Sequence, residues 1–169
     1  MQKHHNQMKE NRAIDNNTYF DAVTTMLKEG QDVTINVRGA SMLPFLSESR
    51  GDQVILEGAE AGTPDGCERV KVNVNVNDIV LFRLGDRYIL HRILKINDND
   101  IAEIQGDGIL NAKEHCHRDQ ILARVTTIIR SGKDAINTKS STYRRNVRIW
   151  MILKPLRRPM LWLWKRLFL

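Results

Sequence analysis

Cysteine is scarce in this chain. Cys67 and Cys116 are the only two in 169 residues, and neither belongs to a Cys-x-x-Cys pair. That number is too small for a disulfide framework and leaves the redox compartment open. Spaced pairs of metal ligands are missing too. The triplet His115-Cys116-His117 offers adjacent side chains that point apart in extended backbone, whereas zinc sites combine spaced pairs, so an exposed turn with no metal is expected. Long apolar runs are absent from both ends. Met1 to Asn17 is polar and lacks the apolar core of a secretory signal, so it reads as a disordered arm. Residues 143–169 fall short of the roughly 20 apolar residues that a membrane span requires. Acid is wholly missing from that C-terminal stretch, which holds Arg144, Arg145, Arg148, Lys154, Arg157, Arg158, Lys165 and Arg166. The formal charge of the chain is +6, so the rest of it carries −2. Any anionic partner must therefore be met by the C-terminal tail and not by the body.

The body reads as one domain over residues 18–130. Tyr19, Phe20, Ala22, Val23, Met26 and Leu27 recur at helical spacing between Asn17, a plausible cap, and Gly30, a plausible stop. Strand patterns follow at 33–37, 53–56, 70–76, 78–84, 87–96, 101–105 and 120–129, so the fold class is mainly β. Gly85-Asp86 and Asn97 to Asp100 mark two hairpin turns. The repeated Val-Asn pairs of 70–76 suggest an edge strand with one wet face. Residues 131–142, with Gly132, Lys139, Ser140 and Ser141, read as a linker.

Three residues in this β-rich body could perform acyl transfer: Ser41, His91 and Asp107. A serine hydroxyl needs a base to take its proton, and the base benefits from a third group that orients it. If the second hairpin has a loop of two or three residues, cross-strand partners sum to about 197 or 198. His91 then lies opposite Gly106 or Asp107, and a slip of one residue would destroy the contact. Ser41 follows a strand and Gly39 and precedes Pro44, at a turn where its own N–H could serve a developing oxyanion. Gly39, Ala40 and Met42 complete the stretch that substrate would approach. Each residue also has a structural alternative: Ser41 as a helix cap, His91 as a half-buried strand residue, Asp107 as a turn former.

Taken together, Val37-Arg38-Gly39-Ala40-Ser41-Met42-Leu43-Pro44, Gly51-Asp52-Gln53-Val54, Asn77-Asp78-Ile79-Val80-Leu81-Phe82, His91-Arg92-Ile93 and Gly106-Asp107 resemble the ordered boxes of the signal peptidase I and LexA-like serine peptidase superfamily. The resemblance spans residues 32–130. With histidine where most bacterial members carry lysine, it resembles the endoplasmic-reticulum type. It implies a coiled, partly barrel-like β-sheet fold, with Ser41 as nucleophile, His91 as general base and Asp107 as acidic partner. The further acid of that type would fall near Lys113, beside Glu114, so Asp107 and Glu114 both remain candidates. The implied substrate is a peptide or precursor protein cut at a leader or propeptide, with no cofactor.

The tail holds all three tryptophans, Trp150, Trp162 and Trp164, among its basic residues. Met160, Leu163, Trp164, Leu167 and Phe168 share a helical face. Arg158, Lys165 and Arg166 lie off it, and Pro155 and Pro159 divide the segment. An interfacial helix on an anionic membrane is expected, with Trp150, Trp162, Trp164, Arg157, Arg158, Lys165 and Arg166 in contact, at the cytoplasmic face as a peripheral protein. Docking on the body or on a protein partner is the alternative. Nucleic acid is not expected, because only one convincing helix precedes Val33. The leading expectation is a membrane-surface serine endopeptidase. Its rivals are a non-catalytic peptide-binding module on the same fold and a LexA-like self-cleaving regulator.

Overall fold

The computed structural model describes residues 16–59, 72–153 and 156–168. Helix α1 (Asn16–Lys28) opens the described chain and is followed by β1 (Val33–Asn36), β2 (Gln53–Glu57), β3 (Ile79–Leu84), β4 (Arg87–Ile96), β5 (Ile101–Gln105), β6 (Glu114–His117), β7 (Ile121–Ile129) and β8 (Ile136–Asn137). Helices α2 (Ser141–Ile152) and α3 (Arg157–Phe168) close it. The architecture is mainly β, an antiparallel eight-stranded sheet in the order β1-β2-β7-β3-β4-β5-β6, with β8 on β7.

The sheet has a core on each face, and β3 shows why. Its Ile79 and Leu81 enter one cluster with Val23 and Leu27 of α1, Val33 and Ile35 of β1, and Val125 of β7. Its Val80 and Phe82 enter the other with Ile93, Ile104 and Cys116. A strand buried on both faces reads as a continuous apolar run, as β3 does in sequence. The first cluster also gathers Leu90 of β4 beside Ile35 of β1, although four steps of the sheet separate the two strands. The sheet therefore curls around this cluster.

Several expectations change. Helix α1 begins at Asn16, so Asn16 and Asn17 belong to it and not to an arm; residues 1–15 lie outside the described residues. Over 72–76 the chain forms no strand. Val72 and Val74 are buried while the Asn73 carbonyl accepts from Arg124 Nη1 at 2.9 Å, so alternation packs this segment without a ladder. Cys67 and Val70 lie outside the described residues. His115-Cys116-His117 is a strand, not an exposed turn: β6 pairs with β5, turning Cys116 into the core and both histidines outward. Burial pushes the Cys116 thiol up to about 11. Among the described residues no cluster of His, Cys, Asp and Glu suited to a metal is present.

The stretch 131–142 is no free linker. β8 pairs within it, and Ser140 caps α2 by accepting the Tyr143 N–H. Nor are residues 143–169 one surface helix. Tyr143, Val147 and Trp150, spaced four and three apart, bury one face of α2 on the body, and Leu161 of α3 joins Trp150 and Leu43 in a third cluster. Trp150 and Arg157, expected on the open face of a membrane helix, are instead buried between the tail and the body. Trp162, Arg158 and Arg166 remain exposed, with the Arg166 guanidinium over the Trp162 ring. The side chains of Trp164 and Lys165 lie outside the described residues. No helix among the described residues is long and apolar enough to cross a membrane.

Candidate active site

The loop between β1 and β2 carries Ser41 and is pinned from both ends. Gly39 sits at φ +72°, a left-handed conformation that side chains other than glycine adopt at a cost. Its N–H donates to Glu48 Oε2 at 2.8 Å, while Arg38 Nη1 donates to Glu48 Oε1 at 2.8 Å. The Gly39 N–H, then the Arg38 guanidinium, hold the Glu48 carboxyl below its ordinary range. Farther on, the buried Asp52 carboxylate accepts the Ser47 N–H and is clasped by Arg50 and Arg130. Burial opposes its ionisation, but the two guanidiniums and the Ser47 N–H outweigh that and lower its pKa. The same arginines reach back to the carbonyls of Pro44 and Phe45. Met42, Leu43 and Leu46 lie beneath, fully buried.

Ser41 itself is half-exposed and lines a cleft of about 220 Å³ with His91. Ile35, Val37, Met42, Leu81 and Leu90 give that cleft apolar walls, and Phe20 and Tyr88, stacked at 4.7 Å, close one side. The two candidate residues come together over Gly106. A methyl group added there would stand 2.5 Å from the Ser41 carbonyl oxygen and 2.9 Å from His91 Nε2. Gly108 then donates its N–H to the Ser41 carbonyl at 2.8 Å. A side chain on Gly108 would come within 2.9 Å of the Ala40 carbonyl oxygen. Among the described residues no hydrogen bond joins the Ser41 hydroxyl to His91, and none occupies the Ser41 N–H.

Asp107 does not serve His91. Arg92 pairs with Gln105 across β4 and β5, a register summing to 197 that carries His91 opposite Gly106 and puts Asp107 in phase with Arg92. Alternation thus sends the Asp107 carboxylate to the other face. There it accepts Arg92 Nε at 2.9 Å and Arg92 Nη2 at 2.7 Å, and all of this is buried. Arg92 also donates to the Asn77 carbonyl and to the Tyr143 hydroxyl, and lies 5.0 Å from the Phe45 ring centre. Burial of the guanidinium is overcome by Asp107, so its pKa rises.

Glu114 holds the place foreseen for an acid. On β6 it pairs with Ile104, which pairs in turn with Ile93 on the His91 face. Its Oε2 lies 3.2 Å from His91 Nδ1. An ionised carboxylate only accepts, so the ring proton sits on Nδ1, and Nε2, the nitrogen beside Gly106 and the Ser41 backbone, is left free as a base. Burial lowers the His91 pKa, against the opposing pull of Glu114 and, more distantly, Asp107. The imidazole is therefore neutral at pH 7. Gly106 and Gly108 were visible in sequence as a Gly-Asp-Gly triplet, whose meaning is close backbone approach; the roles of Arg92 and Tyr143 carried no separate signal. No family model, no curated protein and no solved structure matches this chain.

Proposed function

We propose that this chain is a serine endopeptidase, similar to signal peptidases, that cuts leader or propeptide segments of precursor proteins at a membrane surface. The supporting observation is the convergence of Ser41 and His91 on one apolar cleft, the Ser41 carbonyl and His91 Nε2 both lying against Gly106, with Glu114 on the remote ring nitrogen. In this reading His91 Nε2 takes the Ser41 hydroxyl proton as the oxygen attacks the scissile carbonyl, and later delivers it to the leaving amine. The Ser41 N–H receives the oxyanion. Glu114 orients the ring and stabilises its protonated form. β1 ends one side of the sheet, and Ile35 and Asn36 border the cleft, so an extended peptide can add to that open edge. The curled sheet agrees with the coiled architecture of the LexA and signal peptidase group, and we assign the fold to that group on the same grounds.

The test is N-terminal proteomics of host cells bearing wild type or Ser41→Ala, paired with mass spectrometry of synthetic leader peptides incubated with each protein. New N-termini that need Ser41 are expected; identical termini and intact peptides with both proteins would remove the proposal. A second reading, a peptide-binding module without turnover, draws on the missing hydrogen bond between the Ser41 hydroxyl and His91. It predicts saturable peptide binding that Ser41→Ala leaves unchanged. For the membrane part, pelleting with phosphatidylglycerol vesicles is expected to weaken several-fold in Trp162→Ala, since Trp162 is 62% exposed and an interfacial indole adds binding area. Equal pelleting would count against contact through α3.

A further inference from the structure

The contacts that Arg157 makes do not repay its burial. It is 2% exposed, yet among the described residues no carboxylate pairs with it. Its Nη2 reaches only the Trp150 carbonyl at 3.5 Å and the Met151 sulfur at 3.2 Å, both weak contacts. Its Nε has no acceptor, and neither has the indole Nε1 of Trp150, whose ring lies 5.1 Å from the guanidinium. Burial lowers the Arg157 pKa, and only the more distant Asp107 works against it. A buried, unpaired cation is costly, and unsatisfied buried donors add to that cost.

The surroundings make the deficit directional. Arg157 opens α3, whose first turn holds no acid. A helix start carries free N–H groups and partial positive charge, so a cation there is unfavourable unless an anion joins it. On either side of this point the surface is apolar: Ile149, Ile152, Leu156, Met160 and Leu163 are all exposed. Within each helix they stand three apart, Ile149 and Ile152 on α2 and Met160 and Leu163 on α3, with Leu156 just before α3, so the exposed apolar stripe has one part on each helix. Arg158 is exposed beside it.

We propose that Arg157, Trp150 Nε1 and the start of α3 form a binding site for the phosphate of a phospholipid headgroup, with the acyl chains lying along the exposed stripe. The site rests on the membrane-surface reading above and makes it specific. A guanidinium fork matches a phosphate, the indole N–H supplies a further donor, and the stripe accepts the chains. A free phosphate would satisfy the donors but leave the stripe uncovered, so the lipid is the occupant. Trp150 packs on Leu43, two residues from Ser41, so occupancy also braces the Ser41 loop.

The test uses the full chain and dihexanoyl phosphatidylglycerol below its micelle concentration, with inorganic phosphate as a separate arm. Binding is read as a saturable rise in melting temperature. A red shift of Trp150 emission in Trp162→Phe/Trp164→Phe gives a readout that needs no change at Arg157. The lipid is expected to bind wild type and Arg158→Gln alike, and to lose about tenfold or more in affinity with Arg157→Met. In buffer alone Arg157→Met should melt no lower than wild type, because an apolar side chain of similar length replaces an unpaired charge. Equal losses in Arg157→Met and Arg158→Gln would mean diffuse attraction and overturn the site. An identical response to inorganic phosphate would overturn the lipid assignment, and a silent Trp150 the whole proposal. Vesicle pelleting that depends on Trp162 but not on Arg157 would leave the membrane-surface reading standing while this site fell.

Discussion

His91 and Arg92 are neighbours on β4 and face opposite sides of the sheet, each with one carboxylate. The Arg92 pair is sealed: Asp107 is 1% exposed on its side chain, and the guanidinium adds a carbonyl and a tyrosine hydroxyl to its partners. The His91 pair is open, with Glu114 at 19% exposure and a single 3.2 Å contact. The difference matches the work each can do. A fork held by several charge-assisted bonds in the interior fixes geometry, and here it fixes the Gly106 to Gly108 segment against the Ser41 loop. A proton carrier must change charge during a cycle, which a ring that lines a cleft and has one partly exposed acceptor can do. Strand alternation is what lets two adjacent residues take these two roles.

Asp107→Asn tests the sealed side and should have the largest effect. It removes the charge while keeping the shape, leaving Arg92 buried without its counter-ion, at a cost of about 3 to 5 kcal/mol. Urea unfolding measures this directly. A mild loss of stability joined to a displaced pH–rate profile would instead tie Asp107 to His91 and collapse the distinction between the two pairs. Gly106→Ala probes the point where the sides meet. The new methyl would strike the Ser41 carbonyl and the His91 ring, so stability should fall by about 1 to 3 kcal/mol. Peptide cleavage should fall further than that loss alone explains. Full activity in a folded Gly106→Ala protein would show that Ser41 and His91 need not meet there.

Much of this arrangement was legible in the chain. Strands β4 and β5 have the predicted bounds, and both expected register sums occur: 198 beside the turn and, past a bulge between Ile93 and Lys95, 197 at Arg92. The acid was the hard part, because a step of one residue exchanges faces. Asp107 and Gly106 differ by that one step, and only the lower sum gives His91 the glycine. Glu114 was recognised as a neighbour of the right place but came without a strand, since Glu-His-Cys-His holds one apolar residue and shows little alternation. The meeting of Ser41 with His91 depends on the curl of a sheet in which β1 and β4 are not neighbours, and no local pattern encodes that. In the tail, the basic and tryptophan-rich composition masked the spacing of Tyr143, Val147 and Trp150, which already described a helix buried on one side.

Glu114→Gln addresses the open side, where the stability effect should be smallest and the chemical one clear. Glutamine can still accept from Nδ1–H, so unfolding at pH 8 should change by less than about 1 kcal/mol. The charge of the native Glu114 carboxylate, however, favours the protonated ring, and removing that charge lowers the His91 pKa further. The acid limb of the cleavage profile should therefore move to lower pH, while the maximal rate drops about tenfold or more as the imidazolium formed in the transition state loses its partner. Stability follows the same sign. Folded His91 binds its proton less tightly than the unfolded chain, whose value is near 6.5, so the contribution of the neutral ring is complete above that pH and is lost as pH falls through the folded value. The variant, with the lower folded pKa, should lose more on acidification than wild type. An acid limb that stays in place would mean that Glu114 does not act on the ring, and His91 would then have no acid partner on its own face of β4.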